Sequence, residues 1–169
     1  MNIKFTVKGA KELEAMLREI GPAAAKNAGA ASLRAGAKVI VARAKELVPV
    51  KTGALRDSLG FKVSRRGANN GILTAHIGSL NKEARLIHLV EFGTRAHSIR
   101  TGEGGYLASG EIVFGKEVQH PGTPAQPFLR PAIDEKGGDA VLVMGTAMGK
   151  SIDRHLKKMR RVLPNGRSA

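Results

Sequence analysis

Cysteine and tryptophan are absent from this chain, and its aromatic complement is five phenylalanines and one tyrosine. Without cysteine there is no disulfide framework, no thiol nucleophile and no thiolate metal ligand. With Tyr106 the only tyrosine, the aromatic platforms on which single-stranded bases stack are missing. Acidic residues are scarce: 14 Asp and Glu stand against 28 Lys and Arg, a formal net charge of +14. Long apolar runs are lacking as well. No stretch of about 18 apolar residues offers a membrane span, and the opening MNIKFTVKGAKELEAM has no unbroken apolar segment of the signal-peptide kind. The expectation is a soluble, unexported protein made in the cytoplasm.

What is present suffices for one domain. The chain has 169 residues, 42% of them hydrophobic, and 21 glycines, so its core must rest on Ala, Val, Leu and Ile with backbones in close approach. The positive excess sits in two blocks. Ten basic residues against two acidic ones lie between Lys26 and Arg66, and seven against one from Lys150 onward. Such a field attracts polyanions without reading sequence. Solvated helix faces account for the same residues.

Periodicity orders the chain. IKFTV (Ile3 to Val7) alternates as a half-buried strand, and Leu13, Met16, Leu17 and Ile20 mark one face of a short helix that Gly21-Pro22 ends. Ala23 to Val48 predicts a longer helix with the stripe Leu33, Ala37, Ile40, Ala44, Leu47, stopped by Pro49. In VPVKTGALRDSL, Thr52 is the expected N-cap of a short turn through Ser58. Leu59 to Arg66 and Gly71 to Ser79 alternate around Gly67-Ala68-Asn69-Asn70, a hairpin. Ala84 to Thr94 fits a helix or a strand; Leu86, Leu89 and Val90 on one helical face favour a helical first part, and Gly93 ends it. Seven glycines then punctuate Gly93 to Gly122, which carries three basic and three acidic residues. Its runs YLA and EIVF suggest a small hairpin in a connection long enough to be functional.

The segment HPGTPAQPFLRPA (His120 to Ala132) holds four of the seven prolines. Prolines 121, 124 and 127 keep it extended, Phe128 and Leu129 anchor it, and Pro131 is tolerated in the first turn of a helix starting near Phe128. That helix carries Ile133, Ala140, Met144, Met148, Ile152, Leu156 and Met159, with Gly137-Gly138 as an early break or kink, and a frayed tail after Arg161. The expected fold is α+β in a single domain, residues 1–169. It has an N-terminal strand and short helix (1–22), a helix and hairpin core (23–92), a projecting hairpin-like loop with the proline strap (93–127), a C-terminal helix (128–161) and a tail (162–169). A small antiparallel sheet is packed by the two long helices.

Motifs of catalysis are scarce. His88 and Glu91 at i, i+3 could share a helix face, but none of the five histidines has zinc-motif spacing. GTAMGKS (Gly145 to Ser151) has three residues between its glycines where a phosphate loop needs four, and it falls inside an amphipathic helical pattern. No Gly-x-Ser-x-Gly elbow occurs. The residues imply no enzyme, no cofactor and no metal; a hydrolase using His88 and Glu91 would require bound metal.

Three segments in order, VPVKTGALRDSL, VEFGT (Val90 to Thr94) and HPGTPAQPFLRPA, resemble the tail-completion, or head-tail joining, family of long-tailed bacteriophages and prophages. The resemblance covers roughly Ala23 to Leu156 and rests on Thr52, Gly53, Ala54, Leu55, Glu91, Phe92, Gly93, Thr94, Pro127, Phe128, Leu129, Arg130 and Pro131. It implies a small α+β subunit of a homo-oligomeric ring, commonly sixfold, at the tail top or neck of a siphovirus-like virion, assembled in the host cytoplasm and carrying no catalytic residues. Its implied partners are the tail-tube, tail-terminator and head-completion or connector proteins. DNA would pass through the lumen, with Lys62, Arg65 and Arg66, or Lys157, Lys158, Arg160 and Arg161, lining it. The alternative is a free-standing basic nucleic-acid-binding protein.

Overall fold

Gly21, at φ 79°, and Pro22 at the first helical position start helix α1, Pro22–Leu47. The computed structural model describes residues 20–64, 66, 72–81, 84–102 and 105–162; the expected strand at 3–7, the short helix at 13–20 save its last residue, the turn at 67–70 and the tail save its first residue lie outside these. Helix α1 stops where Pro49 requires: Val48 is already extended at ψ 132°. A short helix α2, Ala54–Ser58, leads into β1, Leu59–Ser64, paired antiparallel with β2, Thr74–Ser79, in the register Leu59 to Ser79 through Ser64 to Thr74. Helix α3 spans Ala84–Phe92. Four short strands follow: β3, His97–Arg100; β4, Leu107–Ser109; β5, Ile112–Gly115; and β6, Glu117–His120. They form two antiparallel pairs, β3 with β6 and, further out, β4 with β5. Helix α4, Leu129–Val162, closes the chain.

Helices α1 and α4 lie antiparallel along one another. Ile20, Ala24 and Ala28 pack with Ile152 at one end, the Ser32 hydroxyl donates to the Met144 carbonyl at 2.9 Å in the middle, and Ile40 and Ala44 pack with Phe128 and Ala132 at the other. Small residues make the approach close. A Cβ on Gly36 would stand 2.5 Å from Met144 Cγ and 3.2 Å from the Ala140 carbonyl oxygen. The β1–β2 pair covers α1 beside this seam, with Leu59 buried in the same cluster and Leu73 held against Gly29. The α+β class is as expected, with the long helices packed on small antiparallel sheets.

Three expectations need correction. Gly53, in the left-handed region at φ 82°, occupies the N-cap of α2, not Thr52, whose hydroxyl accepts only a 3.4 Å bond from the Ala54 N–H. Gly137-Gly138 does not break α4, which runs unbroken from Leu129 to Val162. Ile133 and Met159, assigned to the buried stripe, are 50% and 38% exposed; Ala132, one residue earlier, is fully buried. Leu33 and Leu47 of α1 are likewise only half-buried, while Ala28, Ala30, Ser32 and Gly36 are covered.

Candidate functional site

The three motif segments converge around the start of α4. A helix leaves its first N–H groups without internal partners, and the residues before α4, Pro124 to Pro127, include no Ser, Thr, Asp or Asn at the capping position. Glu91, reaching from α3, supplies the cap. Its Oε2 accepts the N–H groups of Phe128 and Leu129 at 2.8 and 2.9 Å, and its Oε1 accepts that of Arg130 at 2.9 Å. The next residue, Pro131, has no N–H, and Ala132 donates to the Phe128 carbonyl as the first bond within the helix. One carboxylate and one proline therefore account for every orphan donor. Glu91 is only 6% exposed. Burial by itself raises its pKa, but the Phe128, Leu129 and Arg130 N–H bonds and the Arg130 charge outweigh that and hold it below the ordinary carboxylate value. The helix dipole acts in the same sense.

The strap reaches this point by lying on the end of α3. Gly93, at φ 69°, turns the chain, and a Cβ there would stand 2.5 Å from the Thr123 carbonyl oxygen. Thr94 and Thr123 exchange backbone bonds of 2.9 and 3.1 Å, and the Gln126 N–H satisfies the Val90 carbonyl at 2.8 Å. Gly122, at φ 86°, crowds the Thr94 carbonyl from the other side. Phe128 then enters the core with no exposed surface, beside Ile40, Ala44, Val48 and Leu59. Leu129 is half-buried against the same cluster, while Pro127 and Arg130 are exposed. Phe92, next to Glu91, points outward and is 77% exposed. The Thr94 hydroxyl has no partner among the described residues.

On its other side α3 walls a groove of about 390 Å³ with Val50, Lys51, Leu55, Arg56, Leu86 and Val90 among its lining, so that Thr52, Gly53, Ala54 and Leu55 of the first motif form its floor and rim. Asp57 stands 3.5 Å from the Arg56 guanidinium, and both are exposed.

The basic candidates gather at the opposite end of the molecule. Leu73, just before β2, packs on Gly29 near the beginning of α1, and Ile152 of α4 packs on Ala28 beside it. The far end of the β1–β2 hairpin, with exposed Lys62 and Arg66, thus lies at the same end as exposed Lys157, Lys158 and Arg161. Arg65 and the Arg160 side chain fall outside the described residues. His88, the suggested metal partner of Glu91, is exposed on α3, whereas Glu91 is turned into the α4 cap. No group of three or more His, Asp or Glu able to hold a metal occurs among the described residues. Gly145 to Ser151 lies wholly within α4, as a helix and not a loop.

Residues 11–93 match the family described as "Bacteriophage HK97-gp10, putative tail-component". Over this segment the chain is similar to that family. The HK97-gp10-like segment takes in α1, the Thr52 motif, both β1 and β2, and α3, and it ends at Gly93 where the strap begins to lie against it. The match points to a phage tail component, and so to the virion. No curated protein and no solved structure matches the chain. Among the described residues, no helix is long and apolar enough to cross a membrane.

The sequence linked Glu91 to His88 because they stand three residues apart; the actual partners lie 37 to 39 residues on. One signal did point there: a helix starting at Phe128 without any capping side chain before it needs an acceptor from elsewhere in the fold.

Proposed function

We propose that the protein is a non-enzymatic ring subunit, hexameric in the reading carried by the resemblance, that sits at the tail top or neck, completes the tail and joins it to the head. The observation that carries this is the match of residues 11–93 to a phage tail-component family, joined to the ordered run of all three motifs into one clamped corner. Within that corner Glu91, Gly93, Thr94 and Phe128 hold α3, strap and α4 together. A ring subunit also needs surface that reaches its neighbour, and the four-strand arm between Gly93 and Gly122 supplies it.

DNA passing through the lumen calls for loose contact without sequence reading, which a basic surface provides through phosphates. Lys62, Arg66, Lys157, Lys158 and Arg161, at one end of the molecule, are the candidates to face it. Tail-tube, terminator and head-completion or connector proteins of the same phage are the partners.

The test is the mass of the purified protein by light scattering, across concentration and salt, alone and with the tail-tube protein of the same genome. A ring, formed alone or only on the tube, is the expected result. A strict monomer that ignores the tube but shifts DNA at low salt would move the function to free-standing nucleic-acid binding.

A further inference from the structure

The outer half of the arm is apolar and unpartnered. In the β4–β5 pair, Ser109 faces Ile112 across a two-residue turn, Gly110-Glu111, with Gly110 at φ 61° as such a turn requires. This puts Glu111 at the apex. Ile112, Val113 and Phe114 follow directly and are 62%, 64% and 50% exposed, and the register shift opposite Leu107 and Ala108 leaves Phe114 without a β4 partner. The groove beside α3 has the matching character: Val50, Leu55, Leu86 and Val90 make it apolar, and Lys51 and Arg56 bring positive charge to it. Neither feature is covered by the other within one subunit, since Val50 and Leu86 remain 54% and 41% exposed.

We propose that the β4–β5 tip of one subunit seats in this groove on the next, with Ile112 and Phe114 against Val50, Leu55, Leu86 and Val90, and Glu111 facing Lys51 and Arg56. The proposal rests on the ring reading and names its interface. Charge favours this contact over others. Copies carrying +14 each repel, whereas Gly93 to Gly122 carries equal numbers of acidic and basic residues and offers its acid at the very tip. Lys51 is the groove cation that such a tip can neutralise, since Arg56 already stands 3.5 Å from Asp57. Geometry favours it as well. Helix α3 forms one wall of the groove and launches the arm from its end, where the Thr94–Thr123 pairing and the crossing of Gly93 and Gly122 fix the departure. Tip and groove are different surfaces, so the contact is head-to-tail, the kind that makes a ring when its rotation per step closes.

The experiment pairs two exposed-site variants, Ile112→Asp in the tip and Val50→Asp in the groove, each first confirmed as folded by circular dichroism and a melt within a few degrees of wild type. Masses are read by light scattering under whichever condition, alone or on the tube protein, assembles the wild type. Each variant is expected to remain a monomer of 17.9 kDa. An equimolar mixture is expected to form a species with two subunits and no ring, because only one intact tip and one intact groove meet. If a variant fails the melt, Glu111→Lys takes its place; it is expected to weaken assembly about tenfold, and Lys51→Glu on the same chain to restore it. Rings formed by the variants as readily as by wild type would overturn this interface and leave the ring reading standing. A wild type that forms no ring under any condition would remove both.

Discussion

Two phenylalanines separate what this chain buries from what it shows. Phe128 has no exposed surface and touches both long helices' shared core, so Phe128→Ala should lower stability by about 3–5 kcal/mol, read by urea unfolding. Phe92, 77% exposed, should tolerate the same change within about 0.5 kcal/mol. Glu91 is the residue on which the corner turns. Glu91→Ala leaves three N–H groups at the α4 start without their acceptor and should cost about 2–4 kcal/mol. Because its folded pKa lies below the unfolded one, Glu91 stabilises fully above the unfolded carboxylate value, about 4.3, and that contribution disappears as pH falls through the lower folded value. Stability followed from pH 6 downward should therefore fall more steeply in the wild type than in Glu91→Gln, which has no charge to lose.

Among elements, α4 is the longest and carries glycines without internal cause. A Cβ at Gly137, Gly138, Gly145 or Gly149 would meet nothing within 4 Å. Gly145→Ala should raise the melting stability of the subunit by up to about 1 kcal/mol, the ordinary helix preference for alanine. Gly36→Ala in α1 should not give that gain, because its Cβ would press on Met144 and the Ala140 carbonyl. The same contrast explains how legible the elements were. Both long helices, the β1–β2 pair and the helical α3 follow from periodicity and from Pro49 and Gly93. The buried faces did not follow as well, because the pattern favours large side chains while two helices in close approach bury small ones: Ala132 in place of Ile133, Ala28 and Ser32 in place of Leu33. At the candidate site, the residues of the three motifs were legible and the way they act together was not. A carboxylate capping a helix 37 residues away leaves no local spacing to read.

At the scale of the molecule, charge is divided by place. The exposed cations Lys62, Arg66, Lys157, Lys158 and Arg161 share one end, while the groove and the arm belong to the α3 corner. If the basic end faces DNA, changing Lys157 and Lys158 to Glu should leave the ring's mass unaltered and lower DNA delivery by assembled particles; a DNA-shift assay should show the wild-type contact fading steeply with salt. The crossing at Gly93 and Gly122 has a separate consequence. The arm leaves and re-enters the body through a single pair of backbone bonds between Thr94 and Thr123, so its two ends are already joined whatever lies between them. Lengthening such a closed excursion costs little, about 0.6 kcal/mol for each doubling of its residues. The corner is in effect a socket: the length of the arm can be rewritten in descendants of this chain by inserting or deleting residues beyond Thr94, with the helices beneath left as they are.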